Sequence, residues 1–272
     1  MKWLSLVFLS LLAVGVLTSL VFFSNDPVAD ISQALQSPNW QAWLGRDSLG
    51  RDLFTRILVG AQVSVFLGLV SSLGALAIGV AFGAVAALSN RWVDAVLMRL
   101  CDILMSLPSV MLMAVLVLIL QTQWPQQNIL VLFGVLTLGS WMPFARISRN
   151  LILNERSQGY IEAAKAIGAH RRRIFLKHIF PNIRSALLVT WSLQVPHAIL
   201  AEGLLSFLGF GVRSPMVSWG VLLQEGWKTL ANFPHLLLGP ALFLFLTVFS
   251  LNVLLEDFRK SLDPQMKWDR FS

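Results

Sequence analysis

No stretch of the chain reads GxxxxGKS/T, so it carries no glycine-rich loop able to cradle the phosphates of ATP. The HExxH, CxxC and GxSxG patterns are also absent, which removes the usual signatures of a zinc protease, a thiol redox centre and a serine hydrolase. Cysteine occurs once, as Cys101, so an internal disulfide and a cysteine metal cluster are both excluded. The four histidines, His170, His178, His197 and His235, are scattered and suggest no ligand set. Charge is scarce. Only 13% of residues are Asp, Glu, Lys or Arg, about half of the roughly 25% expected in a soluble domain.

Apolar residues are abundant instead. They make up 56% of the 272 residues, and the mean hydropathy is +0.70. That composition belongs to a polytopic, all-α membrane protein. The net charge of +7 is read as loop charge beside a membrane, not as a nucleic-acid surface. The first apolar run, Trp3 to Phe23, exceeds the roughly 7–15 residues of a signal peptide and shows no clear cleavage site, so it reads as an uncleaved first span.

Crossing the hydrocarbon takes about 20 apolar residues. Six stretches qualify: 3–23, 62–88, 97–120, 128–146, 185–206 and 235–255. The start of the third is complicated by Arg99 and Asp102. With the N-terminus inside, the inner segments 1–2, 89–99, 146–184 and 256–272 hold one, two, nine and four basic residues, sixteen of the twenty-one. The outer segments hold Arg46, Arg51, Arg56, Arg213 and Lys228. This bias predicts both termini on the cytoplasmic side.

The outer segment 24–61 ends in apolar residues at helical spacing, Leu53, Phe54, Ile57, Leu58 and Ala61, with Asp52 and Arg56 placed as an i,i+4 pair on the polar side. An amphipathic helix lying on the membrane is expected there. The chain then divides into a first helix with its external amphipathic segment (1–61), a five-helix core (62–256) and a cytoplasmic tail (257–272). Pro108, Pro143, Pro196 and Pro240 fall in the last four spans, either as bends of a moving pathway or as tolerated bundle prolines. Gly79 and Gly83 form a GxxxG that allows close helix contact.

One inner segment is polar yet patterned: "GYIEAAKAIGAHRRRIFLKHIFPN", residues 159–182. Tyr160 to Ile167 favours a helix, and Gly168 suits a C-terminal cap with a left-handed backbone. A second helical stretch runs from about His170 to Phe180 and is punctuated by Pro181. Ala163 and Ala164 leave one surface flat, and Glu162 offers a negative charge to a partner's Arg or Lys. Arg171, Arg172, Arg173 and Lys177 suit anionic headgroups of the membrane. Anchoring accounts for the charge; the helix with its glycine corner points to docking on a protein.

Ionisable groups inside spans call for partners. Asp102 needs one. Glu202 either lines a pathway or stabilises the loop that follows it. His197 either faces a pathway or sits in the bundle with a hydrogen-bonded partner.

Glu162-Ala163-Ala164, then three residues and Gly168, resembles the EAA loop of ABC-importer permeases. Arg171-Arg172-Arg173-Ile174 and His178-Ile179-Phe180-Pro181-Asn182 are similar to the dipeptide/oligopeptide/nickel branch. "LGRDSLGRD" (44–52) and "EGLLSFLGFG" (202–211), followed by Pro215 and Ser218-Trp219-Gly220, resemble that branch's LGTDxLGRD and EAALSFLGLG…P…SWG segments. Arg46, Gly203 and Phe180 depart from the usual Thr, Ala and Leu.

The resemblance implies a type I importer permease fold and the smaller permease of a peptide uptake system in a bacterial inner membrane. It implies coupling to ATPase subunits through Tyr160, Glu162, Ala163, Ala164, Gly168 and Ala169. The implied partners are a second permease, two ATP-binding subunits and an extracytoplasmic solute-binding protein, with ATP and magnesium used by those subunits and no cofactor held by this chain. A nickel or metal-chelate cargo fits the same permease type. Two other classes have less support. A secondary transporter would need inverted repeats that the sequence does not display, and an intramembrane enzyme would need a paired nucleophile and base.

Overall fold

The computed structural model describes residues 1–22, 29–124 and 126–262. Among them every regular element is helical, and the one β-type pairing is an isolated bridge between Arg46 and Asp52. Five helical stretches are long and apolar enough to cross a membrane, and a bent pair makes a sixth. The crossings are α1 (Lys2–Phe22), α2 (Leu53–Leu88), the pair α3 (Arg91–Ser106) and α4 (Ser109–Gln123), α5 (Asn128–Arg156), a long run containing α7 (Arg171–Ile174) and α8 (Phe180–Leu205), and α10 (His235–Leu262). Two short helices, α6 (Gly159–Ala166) and α9 (Trp219–Lys228), sit in the connections. Of the expected tail, only 257–262 is described, and it extends α10; 263–272 lies outside the described residues, as does 23–28.

The centre of the bundle is the contact of α2 with α5. The GxxxG glycines make it possible: a Cβ on Gly79 would sit 2.7 Å from the Trp141 carbonyl oxygen, and one on Gly83 would sit 2.5 Å from that of Ala145. Ser148 donates to the Gly79 carbonyl across the same seam at 3.2 Å. Small residues here substitute close van der Waals packing for the hydrophobic driving force that lipid does not supply.

Three expectations change. First, 53–61 is not a separate surface helix. It forms the opening turns of α2, a single helix of 36 residues, about 54 Å long and so longer than the roughly 30 Å hydrocarbon layer. Leu53, Ile57 and Ala61 are buried against Trp219 and Leu236, so their apolar stripe faces protein. Asp52 caps the helix by accepting from the Thr55 amide at 2.8 Å, and Arg56 is 2% exposed instead of lying on a polar face.

Second, the third span is broken. α3 and α4 meet at 92°, because Pro108 supplies no amide hydrogen and pushes Leu107 into an extended conformation (ψ 141°). α3 is amphipathic and is tied to α5 by ion pairs from Asp94 to Arg149 and from Asp102 to Arg146 (3.2 Å). Asp102 thereby gains its partner.

Third, Pro181 does not end a helix. α7 passes through a π turn (Phe175–Ile179) into α8, with Pro181 in the first turn of α8. The Phe180 amide bonds to the Phe175 carbonyl five residues back, so the chain is already in a wider turn where the proline enters. Pro143, Pro196 and Pro240 likewise lie inside continuous helices.

Candidate docking site at the end of the bundle

The segment between α5 and α8 folds back on the bundle end. On α6, Ile161 and Ala164 point inward and join Ala84, Ala87, Ile152, Ile174, Ile179 and Ile183. Their spacing of three residues is one helical face. The opposite face is free: Glu162, Ala163 and Ala166 are exposed, and Ile167 is 86% exposed. Of the residues expected to form a flat docking face, Ala163 is on it, whereas Ala164 seats the helix on the body of the protein.

Gly168 closes α6 as the sequence predicts. Its φ is +81°. The Gly168 amide donates to the Lys165 carbonyl at 2.9 Å and the Ala169 amide to the Ala164 carbonyl at 3.0 Å, the paired bonds of a Schellman corner. Ala169 packs half-buried against the inner cluster, so the chain leaves the corner toward α7.

Tyr160 fastens the other end. Its hydroxyl bonds to Glu155 Oε1. Asn182 Nδ2 donates to Glu155 Oε1 at 2.9 Å and to the Tyr160 hydroxyl oxygen at 2.8 Å. One triangle thus links the end of α5, the start of α6 and the start of α8. Partial burial, reinforced by the Glu155 carboxylate, pushes the Tyr160 phenol above its ordinary pKa. Arg156 Nη1 donates to the Ala87 carbonyl at 2.8 Å and ties α5 to the end of α2. The result is a short helix held rigidly at three elements with its outer face uncovered, an arrangement suited to transmitting a push. Arg172, Arg173 and Lys177 stay exposed beside it.

Sequence reasoning assigns no role to Glu155, Asn182 or Ile167. A helical projection finds Ile167, because it lies six residues after Ile161 and falls off the inward stripe. The anchoring pair bridges 27 positions, and no local pattern reports such a contact.

The two other motif segments meet at the opposite end. Asp47 accepts from Arg51 Nε at 2.7 Å and from Arg56 Nη1 at 2.8 Å, and Arg56 Nη1 also reaches Glu225 on α9 at 2.5 Å. Gly45 and Gly50 have φ of +81° and +76°, which lets this segment fold tightly. A layer deeper, Glu202 is fully buried and accepts from Ser64 at 2.7 Å and from Ser206 at 2.6 Å, while Ser64 accepts from the Trp219 amide at 3.1 Å. Glu202 therefore braces the turn that follows α8 and lines no pathway in this conformation. His197 differs from the bundle expectation. It is exposed on α8 and has no hydrogen-bond partner among the described residues.

Residues 79–268 match the family model described as "Binding-protein-dependent transport system inner membrane component". The chain is 35% identical over 238 residues to the oligopeptide transport permease OppC of Bacillus subtilis, covering 88% of this chain and 76% of that one. It is 37% identical over 231 residues to the dipeptide permease DppC of Bacillus subtilis (85% and 71%). It is 35% identical over 238 residues to the glutathione permease GsiD of Pectobacterium atrosepticum (88% and 77%). Among solved structures, a chain of the inward-facing MetNI methionine ABC transporter aligns with a TM-score of 0.63 at 16% identity, over 78% of this chain and 98% of that one, which speaks to the fold alone. The chain belongs to the family of binding-protein-dependent transport system inner membrane components, the permeases of ABC importers.

Proposed function

We propose that this chain is one of two different permease subunits of a peptide importer, and that α6 is the element through which it is driven. The observation that carries the reading is the exposed face of α6, fixed by the Tyr160–Glu155–Asn182 triangle at one end and the Gly168 corner at the other. The relatives named for oligopeptides, dipeptides and glutathione support a short-peptide cargo.

In the cycle, two partner ATPases bind ATP and magnesium and draw together. Each carries a permease's α6 with it. In this chain Ile161 and Ala164 pass that displacement to the ends of α2, α5 and α8, and the bundle changes the side to which the pathway opens. Peptide arrives from an extracytoplasmic binding protein. The sixteen-to-five distribution of basic residues supports an orientation with α6 and both termini in the cytoplasm.

The test is to purify the tagged chain from its own host and to measure uptake of dipeptides, oligopeptides, glutathione and nickel in cells lacking the gene. Recovery of two ATPase chains and a second permease, with gene-dependent uptake of a peptide, is expected. Recovery of the chain alone, or uptake of nickel without any peptide, would overturn the assignment.

A further inference from the structure

Between α2 and the start of α8 lies a groove of about 630 Å³, almost wholly apolar in lining, open to the side of the bundle. Its floor is made by small residues of α2, Ala77 and Ala81, with Leu73 at one end and Ala84 at the other. Leu73, Ala77 and Ala81 are exposed. Leu73 to Ala84 covers roughly 16 Å of helix at 1.5 Å per residue, close to half of the roughly 30 Å hydrocarbon layer. The groove is therefore about as long as one leaflet is deep.

Its wall from the other side is Phe175, Phe180 and Leu188, and Arg184 stands among these apolar residues. Arg184 is exposed and has no carboxylate partner among the described residues. The sequence explains why: no Asp or Glu occurs from 163 to 201, a stretch that holds Arg171, Arg172, Arg173, Lys177 and Arg184. The neighbouring carboxylates of α5 and α3 are already engaged, Glu155 with Tyr160 and Asn182, and Asp94 with Arg149. An unpaired guanidinium in the lining of an apolar groove of this length asks for a ligand with one anionic end and one long apolar end.

We propose that this groove binds an anionic phospholipid, with an acyl chain lying over Ala77 and Ala81 and its phosphate paired with Arg184. The site differs from a diffuse basic belt because it has a shaped cavity, and it shares no residue with the docking face of α6. The groove is lined by Phe175 and Leu176 of the π turn that joins α7 to α8, so lipid occupancy stiffens the base on which α6 rests.

The experiment uses the assembled transporter in vesicles of phosphatidylcholine doped with phosphatidylglycerol, followed by detergent extraction and native mass spectrometry of the lipid retained. Phosphatidylglycerol should be retained in preference to phosphatidylcholine. Arg184→Gln should lower its retention about fivefold, the effect of one basic group at a membrane surface, and lower that of phosphatidylcholine less, because the choline cation offsets the phosphate that both lipids carry. Ala81→Trp, at an exposed position, should fill the groove and lower retention of both lipids. Arg172→Gln should leave retention as it was. Equal retention of the two lipids, or equal losses from Arg172→Gln and Arg184→Gln, would reduce the site to general surface charge and overturn the proposal. So would a cross-link from Ala81→Cys to the second permease, because the groove would then be covered by protein.

Discussion

Gly168 and Gly159 lie at the two ends of α6 and respond differently to the same added methyl group. A Cβ at either position meets no atom within 4 Å, so bulk is not at issue. Only Gly168 has a positive φ, +81°. Placing an L-residue in that region costs about 1–2 kcal/mol, which is a factor of about 5–30 in the ratio of closed to open corner. Gly168→Ala should therefore open the corner about 5–30 times more often and Gly168→Val more often still, since β-branching narrows the choice further. Gly168→Asn, which tolerates a left-handed backbone, should fall between Gly and Ala.

Gly159→Ala should be neutral or stabilising by about 0.5–1 kcal/mol, because it lowers the freedom of the unfolded chain at a helical position. Two readouts apply: hydrogen exchange of amides 161–169 in the permease, and recovery of ATPase subunits with each variant. The predicted order for both is Gly159→Ala and wild type together, then Gly168→Asn, Gly168→Ala and Gly168→Val. If Gly168→Val protected these amides as well as wild type does, the Schellman corner would not be what holds α6 in place. If Gly159→Ala were as harmful as Gly168→Ala, the argument from φ would fail.

Glu162→Lys reverses an exposed charge on the docking face and should cost about 1–3 kcal/mol of ATPase binding without reducing insertion, whereas Arg172→Gln should bind normally; co-purification against salt distinguishes them. Arg56→Ala removes one of the two cationic partners of buried Asp47, which keeps Arg51, and should destabilise that end of the bundle by about 1.5–3 kcal/mol, measured as a drop in thermal unfolding temperature in detergent. Gly203→Ala should change stability little, because its Cβ would meet only Leu244 Cδ2 at 3.6 Å, an ordinary contact; a loss above about 1 kcal/mol would contradict the packing. Thiol labelling in a Cys101-free background should reach Ser157→Cys only from the cytoplasm and Ser37→Cys only from outside, and the reverse pattern would invert the orientation.

The glycines were the most legible part of the sequence. Gly168 was read as a left-handed cap and Gly79 with Gly83 as a close contact, because each function follows from the missing Cβ alone. The crossings were also legible, since apolar length needs no tertiary information. What stayed hidden depends on which neighbour a face meets. The stripe Leu53–Ile57–Ala61 has one periodicity whether it packs on lipid or on Trp219, so α2 looked shorter than it is. Pro181 reads as a helix end and as a first-turn residue with equal ease, and the π turn before it decided between them. Pro108 was visible, but its 92° consequence was not, because Pro143, Pro196 and Pro240 leave their helices unbroken. Ala163 and Ala164 are adjacent in sequence, and only the seat formed by Ile152, Ile174 and Ile179 shows that Ala164 is buried against the bundle while Ala163 stays exposed.

The most direct measurement for α6 as the docking element is maleimide labelling of Ile167→Cys in a Cys101→Ser background, with the permease free and then in the assembled transporter. Ile167 is 86% exposed in the chain alone, so the free protein should label rapidly. Assembly with the ATPase subunits should slow labelling at least tenfold, while Ser37→Cys at the opposite end stays reactive. Labelling of Ile167→Cys at the same rate in both states would show that nothing docks on this face, and would contradict the account.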